Sequence, residues 1–299
     1  MPRPDPGFGD AERANARQLI RMALAEDLGD RGDLTTTAVI AASARGSARL
    51  VARAPGVLAG LPIVAMLLEE SDVPGWRPYK EDGDALEAGG LVAEIEGDYR
   101  SILTLERTAL DFVQRLAGVA TLTSRFVAEV RGTRAKVLDT RKTTPGWRIL
   151  EKYAVRCGGG SNHRIGLYDA VLIKDNHLAW LAAEAQGDPI PRALAAARAA
   201  APPGTTIEVE VDTLDQLDVA LAHGPDVVLV DNLGPEALAE AVRRRDARAP
   251  GVLLESSGGI TLATIGDRAR AGVDRISVGA LTHSAVALDV AFDATFEAP

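Results

Sequence analysis

TIEVEVDTLDQLDVALAHGPDVVLVDN, residues 206–232, carries the reading of the fold. Val, Ile and Leu crowd 206–212 and 226–232, and the segment between, 213–223, is patterned as a helix. Continuous apolar runs suit strands buried on both faces, and strand–helix–strand order implies a right-handed parallel unit. The same rhythm recurs on either side, in AKVLDT (135–140), AVLIKDN (170–176), VLLESSGG (252–259) and RISVGA (275–280). Further helical segments are expected at 178–200, 235–247 and 261–271. Six such strands fit a barrel or an open doubly wound sheet. No GxGxxG follows the first, which weighs against a dinucleotide-binding sheet. A barrel is favoured, and residues 121–283 fall short of the ~250 of a full eightfold barrel, so an incomplete one is expected.

Upstream the pattern differs. Residues 11–28 read as an amphipathic helix ending at Gly29. RLVARAPGVLAGLP (49–62) holds a short strand broken at Pro55 and Gly56, and PIVAMLLEE (62–70) reads as a helix. KEDGDALEAGGLVAEIEGDYRSIL (80–103) places turns at Asp82-Gly83 and Gly89-Gly90 between strand-like runs. Apolar residues at helical spacing follow in 103–130, where Gly118 is expected to separate two helices.

A chain of 299 residues with 46% hydrophobic and 25% charged residues suits two domains, or one barrel with an appendage. Its formal net charge of −9 argues against general binding to nucleic acid or to an anionic membrane. The single cysteine, Cys157, cannot form an internal disulfide and fits a reducing compartment. MPRPDPGFGD lacks the apolar core of a signal peptide, and Leu58 to Leu68 is too short and interrupted to span a bilayer. A soluble cytoplasmic protein is expected.

In barrel enzymes the site forms at the C-terminal ends of the strands. Here the strands exit into Asp139-Thr140-Arg141-Lys142-Thr143, Lys174-Asp175-Asn176-His177, Glu208 with Glu210 and Asp212, Asp231-Asn232, Glu255-Ser256-Ser257-Gly258-Gly259, and Gly279. Six polar exits in succession point to one shared site. Between Asp139 and His177 there are seven Lys/Arg against four Asp/Glu, together with His163 and His177. Such a cluster in an acidic protein suits an anionic small ligand, because Arg forks to carboxylate or phosphate. Arg148, Lys152 and Arg156 share one expected helix and read as solvated charges; Arg141, Lys142, Arg164 and Lys174 do not. Ser256-Ser257-Gly258-Gly259 before a helix would aim backbone N–H groups at a phosphate. Glu210 and Asp231 could hold a divalent metal or sugar hydroxyls. Alternation along the strand leaves Glu208 and Asp212 without a required role. Gly158-Gly159-Gly160 reads equally as a turn or as close backbone approach to a ligand, and Cys157 as an inert packed thiol.

ERTALDFVQRLAGVAT (106–121), LDTRKTTPGWR (138–148), EKYAVRCGGGSNHRIGLYDAVLIKDNH (151–177), EVEVDT (208–213), LVDN (229–232), ESSGGI (255–260) and SVGALTHS (277–284) closely resemble the quinolinate phosphoribosyltransferases. The resemblance reaches EDLGDRGDLTT (26–36); DTRKTTPG and the GGGxNHRxGLYDAVLIKDNH run are its specific parts. Asp111, Ala117 and Trp147 stand where Asn, Ser and Leu are usual. The family implies an N-terminal α/β sandwich over 1–120 and an incomplete α/β, TIM-like barrel over 121–283, with 284–299 packing back on the first. It implies a homodimer, or an assembly of dimers, with shared sites. The implied reaction converts quinolinate and phosphoribosyl pyrophosphate, with Mg²⁺, to nicotinate mononucleotide, pyrophosphate and CO₂ in NAD biosynthesis. By resemblance, Arg107 reaches quinolinate across the dimer, and Thr140, Arg141, Lys142, His163, Arg164 and Lys174 complete the basic pocket. Glu210 and Asp231 face ribose and metal and, with Lys142 and Lys174, are the catalytic set. Ser257, Gly258, Gly259 and Gly279 hold the 5-phosphate.

Four rivals in three classes remain at this point. A paralogue acting on nicotinate would need fewer cations than this set; a relative tied to molybdenum transport would not keep it intact. A Schiff-base lyase using Lys174 is possible at a barrel strand end. Residues 80–97 resemble the hairpin framework of biotinyl carriers, but the Met-Lys-Met attachment site is missing.

Overall fold

The computed structural model describes residues 6–71 and 73–296. The N-terminal reading therefore lies partly outside the described residues, as do positions 297–299 of the C-terminal segment. The elements run α1 (Asp10–Leu28), α2 (Leu34–Val39), β1 (Arg45–Ala52), β2 (Gly56–Val57), α3 (Leu61–Glu70), β3 (Gly75–Pro78), β4 (Ala85–Leu86), β5 (Leu91–Asp98) and α4 (Tyr99–Glu129). Then come β6 (Lys136–Leu138), α5 (Arg148–Cys157), β7 (Ala170–Ile173), α6 (Asp175–Glu184), α7 (Pro189–Ala200), β8 (Thr206–Val211), α8 (Leu214–Ala222) and β9 (Val227–Asp231). The chain ends with α9 (Pro235–Arg248), β10 (Leu253–Ser257), α10 (Leu262–Arg270), β11 (Arg275–Ser277), α11 (Ala280–His283) and β12 (Val290–Phe296).

Two compact units interleave along the chain. The first takes residues up to Ser124, Thr143–Gly159 and those from Leu281 on; the second takes Arg125–Lys142 and Gly160–Ala280. In the first unit an antiparallel sheet has the order β12-β1-β5-β3, so β12 lies beside β1. Buried Ile63, Val64, Leu67 and Leu68 of α3, with Ile20, Leu50 and Leu116, form its core. Asp82 caps α3 from a distance: its carboxylate accepts the N–H groups of Gly60 and Leu61 at 2.6 and 3.1 Å and the Tyr153 hydroxyl at 2.8 Å. Arg115 on α4 ties the late segments in, pairing with fully buried Glu151 at 2.6 Å and donating to the carbonyls of Thr282 and Ala285.

Gly118 does not divide two helices; α4 is continuous for 31 residues. A Cβ there would lie 2.2 Å from the carbonyl oxygen of Val286, so this glycine serves a close backbone approach. Gly158 behaves likewise, its would-be Cβ 2.4 Å from the Ala120 carbonyl oxygen, and Gly159 turns at φ +84°. The charges of α5 are not solvated as expected. Lys152 is 1% exposed; Arg156 pairs with Glu12 at 2.8 Å, and Arg148 donates to Thr143 at 3.0 Å. Trp147 stacks on Phe112 with ring centroids 5.0 Å apart. Burial pushes the Cys157 thiol up, which suits an inert side chain.

The second unit holds the six expected strands in one parallel sheet, ordered β6-β11-β10-β9-β8-β7. Val209, Val228, Val230, Leu254 and Ile276 are fully or almost fully buried. The sheet begins at β6 and ends at β7 as an unclosed barrel, as the short length of the region requires. The expected helix 178–200 is two, α6 and α7. Gly187 at φ +109° breaks it, and Asp188 accepts the Ile190 N–H at 2.9 Å to start α7 behind Pro189.

Candidate active site

Parallel pairing brings the strand ends of the second unit to one edge. Ser257 of β10 is in register with Asp231 of β9, and Glu210 of β8 with Leu229. After β6, the Lys142 N–H is held by the Thr140 hydroxyl at 3.0 Å, which turns the basic segment off the strand end. Buried Asp139 takes the Asn162 side-chain amide at 2.5 Å and the His163 N–H at 2.9 Å. That second loop is thereby tied to the end of β6. Arg164 donates to the Ala170 carbonyl at 2.9 Å. Its pKa is lowered by burial and then by the charge of Arg141. Lys174, exposed, sits just before α6, where its N–H donates to His177 Nδ1 at 2.8 Å.

Carboxylates gather beside these cations. Glu210 is raised by burial and by Asp231, Asp175 and Asp212, with Lys174 acting the other way. Asp231 accepts the Asn232 side-chain amide at 2.7 Å. Asn232 itself lies at φ +56°, the left-handed region that Asn tolerates better than most residues. Next to it, Gly258 turns at φ +90° and Gly259 at +58°. A Cβ on Gly258 would stand 2.1 Å from Asn232 Oδ1, whereas one on Gly259 would meet nothing within 4 Å. Arg268 of α10 braces this loop, donating to Ser256 Oγ at 3.0 Å and to the carbonyls of Leu233 and Gly258 at 3.2 and 3.3 Å. Two successive glycines at positive φ make the kind of turn whose N–H groups can converge on an anion.

Thr140, Arg141, Lys142, His163, Arg164, Lys174, Glu210, Asp231, Ser257, Gly258, Gly259 and Gly279 thus all belong to the second unit, at strand ends or in the segments that follow. Arg107 belongs to the first, exposed on α4 and paired with Asp111 at 3.6 Å. Sequence reasoning named Glu208, Glu255 and Asn232 at strand exits without giving them a role, and it missed Arg268. Glu208 and Glu255, 2% and 0% exposed, flank His163, whose Nε2 lies 3.1 and 3.4 Å from them. A side chain reaching back from the following helix, as Arg268 does, leaves no spacing signal.

Opposed charge clusters at one sheet edge, beside a glycine turn, suit a ligand carrying both carboxylate and phosphate. Relatives agree with that chemistry. The C-terminal domain model of quinolinate phosphoribosyl transferase matches residues 119–293, and its N-terminal domain model matches 33–117. The nicotinate-nucleotide pyrophosphorylase [carboxylating] of Mycobacterium leprae is 48% identical over 96% of this chain and 99% of its own. A probable counterpart from Bacillus subtilis is 40% identical over 93% of both. The solved nicotinate-nucleotide pyrophosphorylase of Francisella tularensis superposes with a TM-score of 0.85, at 37% identity, over 94% of this chain and 96% of that one. The chain belongs to the quinolinate phosphoribosyl transferase family.

Proposed function

We propose that the protein transfers a phosphoribosyl group from phosphoribosyl pyrophosphate to quinolinate and releases CO₂, forming nicotinate mononucleotide for NAD biosynthesis. The observation that carries this reading is the gathering of Arg141, Lys142, Arg164 and Lys174 in the segments at the strand ends of the second unit, where burial and then the charge of Arg141 lower the pKa of Arg164. Like charges held together are relieved by an anion, and a dicarboxylate relieves both. Lys142 and Lys174 extend the cationic side, with Thr140 setting the turn that presents Lys142, while the His163 ring faces Glu208 and Glu255 instead. Ser257, Gly258, Gly259 and Gly279 take the 5-phosphate on backbone N–H groups, and Glu210 with Asp231 takes the ribose hydroxyls.

Pyrophosphate leaves C1 of the ribose with the bonding electron pair, and the sugar develops oxocarbenium character. Glu210 and Asp231 favour that positive charge, while Lys142 and Lys174 offset charge on the departing pyrophosphate. Arg141 and Arg164 hold the ring nitrogen over C1, so the step is governed by positioning. The nitrogen lone pair forms the new bond, and the ring becomes a pyridinium. The electrons of the adjacent C–CO₂⁻ bond fall back into that ring as CO₂ departs, and a proton takes the vacated carbon.

The donor set fits Mg²⁺: Glu210 and Asp231 are half-buried oxygen ligands, and the crowding of Glu210 by neighbouring carboxylates is relieved by a divalent cation. When bound, Mg²⁺ would neutralise charge on the pyrophosphate. The protein acts in the cytoplasm as a homodimer, in which Arg107 of each subunit enters the other's site. The exposure of Arg107 and its solvent-facing pairing with Asp111, a weak kind of contact, leave it available to a substrate carboxylate. In support of the location, no described helix is long and apolar enough to cross a membrane.

Release of labelled CO₂ from carboxyl-labelled quinolinate, dependent on phosphoribosyl pyrophosphate, tests the reading. Nicotinate should be a far poorer acceptor. Equal turnover of both acids would show that the second carboxylate contributes nothing and would sink the assignment.

A further inference from the structure

Glu208 and Glu255 have no part in the steps above, yet both are buried in the second unit's sheet, on β8 and β10 to either side of β9. Taking a carboxylate out of water costs several kcal/mol, roughly, unless a partner offsets it. Their common partner is one ring. His163 Nε2 stands 3.1 Å from Glu208 Oε2 and 3.4 Å from Glu255 Oε1. Glu255 is braced in turn by the Ser277 hydroxyl and by Arg275, whose Nε is 2.7 Å from Oε2.

The other ring nitrogen settles the tautomer. Nδ1 of His163 lies 2.7 Å from the backbone nitrogen of Arg164 and accepts its N–H. A backbone N–H only donates, so Nδ1 carries no proton and Nε2 carries the ring's hydrogen toward the carboxylates. Asp139 meanwhile accepts the backbone N–H of His163 at 2.9 Å. The backbone at 163–164 is therefore gripped twice, by Asp139 at the end of β6 and by the ring anchored on β8 and β10.

We propose that Glu208 and Glu255 are positioning residues: they hold His163 in its Nε2–H form, so that Nδ1 fixes the backbone of Arg164 and the cationic face that receives the acid. This rests on the reading of Arg141 and Arg164 as the seat of quinolinate. The ligand atoms of His163, Glu208 and Glu255 lie within 4.8 Å of one another, a spacing a metal could also use. The tautomer argues otherwise. A metal on Nε2, with Nδ1 already accepting, would require an imidazolate, and Arg275 already supplies a positive charge to Glu255.

Two measurements on the full chain test the clamp. Nitrogen-15 spectra of histidine-labelled wild-type protein should show one ring, identified by its loss in His163→Gln, protonated at Nε2 and accepting at Nδ1. Steady-state kinetics of Glu208→Gln and Glu255→Gln should show KM for quinolinate raised at least fivefold, with KM for phosphoribosyl pyrophosphate within twofold of wild type. A merely structural role would lower the melting temperature without dividing the two KM values. The clamp is overturned by an Nδ1–H tautomer, by stoichiometric metal in the purified protein, or by folded variants with unchanged KM for the acid. The tautomer is read without substrate, so it decides the matter even where a variant fails to fold. If wild type does not consume quinolinate, the functional reading fails, and the spectrum still judges the clamp.

Discussion

Burial disfavours the second proton of His163, but its hydrogen bonds to Glu208 and Glu255 outweigh that and push its pKa up to about 9. Glu208 is itself raised by burial and by the charge of Glu255, while Glu255 is held low against its own burial by His163 and Arg275. Nε2 already bears the ring's hydrogen and Nδ1 accepts the Arg164 N–H, so the proton retained by this raised titration sits on Glu208, and the titration belongs to the cluster as a whole. A folded pKa above the ~6.5 of an unfolded histidine contributes stability in full below about pH 6.5. That contribution is lost as pH rises through 9, and is on the order of 3 kcal/mol. The urea midpoint of wild type should therefore fall between pH 7 and 9.5, and that of His163→Gln should fall much less; parallel curves would refute it. Gly258 gives a second test at this scale. Its left-handed φ and the 2.1 Å approach to Asn232 forbid a side chain, whereas Gly259 has open space. In calorimetric titrations, Gly258→Ala should weaken phosphoribosyl pyrophosphate more than tenfold and spare quinolinate, with Gly259→Ala the milder. Equal effects would mean that space around the turn is irrelevant. Residue types at strand ends were legible because polar groups there interrupt apolar runs. The burial of Glu208 was not, since alternation gives a face and not what stands opposite it.

Among elements, the loop after β10 depends on the helix that follows it. Arg268 on α10 donates to three carbonyls and to Ser256 Oγ across the turn, a set of bonds that the single ammonium of a lysine cannot reproduce. Burial lowers the pKa of Arg268 and the charge of Asp231 opposes that, so this brace is also part of the site's charge balance. Arg268→Lys should raise KM for phosphoribosyl pyrophosphate about tenfold, as expected for roughly 1.4 kcal/mol of lost loop order, and leave quinolinate binding unchanged. A rise confined to quinolinate would place Arg268 elsewhere in the mechanism. The strands β6 to β11 could be read from sequence because each is a run of Val, Ile and Leu bounded by polar exits. Helix breaks were harder. Gly118 was read as a stop because glycine lacks helical propensity, but its missing Cβ admits the backbone at Val286 while α4 runs on. Gly187, followed by the Asp188-Pro189 start signal, divides α6 from α7, and that signal was present to be read.

At the scale of the whole molecule, the two family segments meet within α4, which carries Arg107 in the first unit and ends in the second. Every other residue assigned to the reaction lies in the second unit. If Arg107 acts on the site of a second copy, a guanidinium–carboxylate fork there is worth about 2–3 kcal/mol. Its loss, like that of Lys142, should leave a homodimer nearly inactive. Mixing Arg107→Ala with Lys142→Ala then gives mixed dimers in which one site receives both wild-type residues and the other site neither. Random exchange at equal ratio makes half of the dimers mixed, each with one good site of two, so recovery should approach roughly a quarter of wild-type activity if Arg107 acts in trans. Exchange must be demonstrated first, by mass spectrometry of a tagged pair. Where exchange is complete and activity stays at the level of the separate variants, Arg107 serves its own subunit, because a cis arrangement puts one lesion in every site of the mixed dimer.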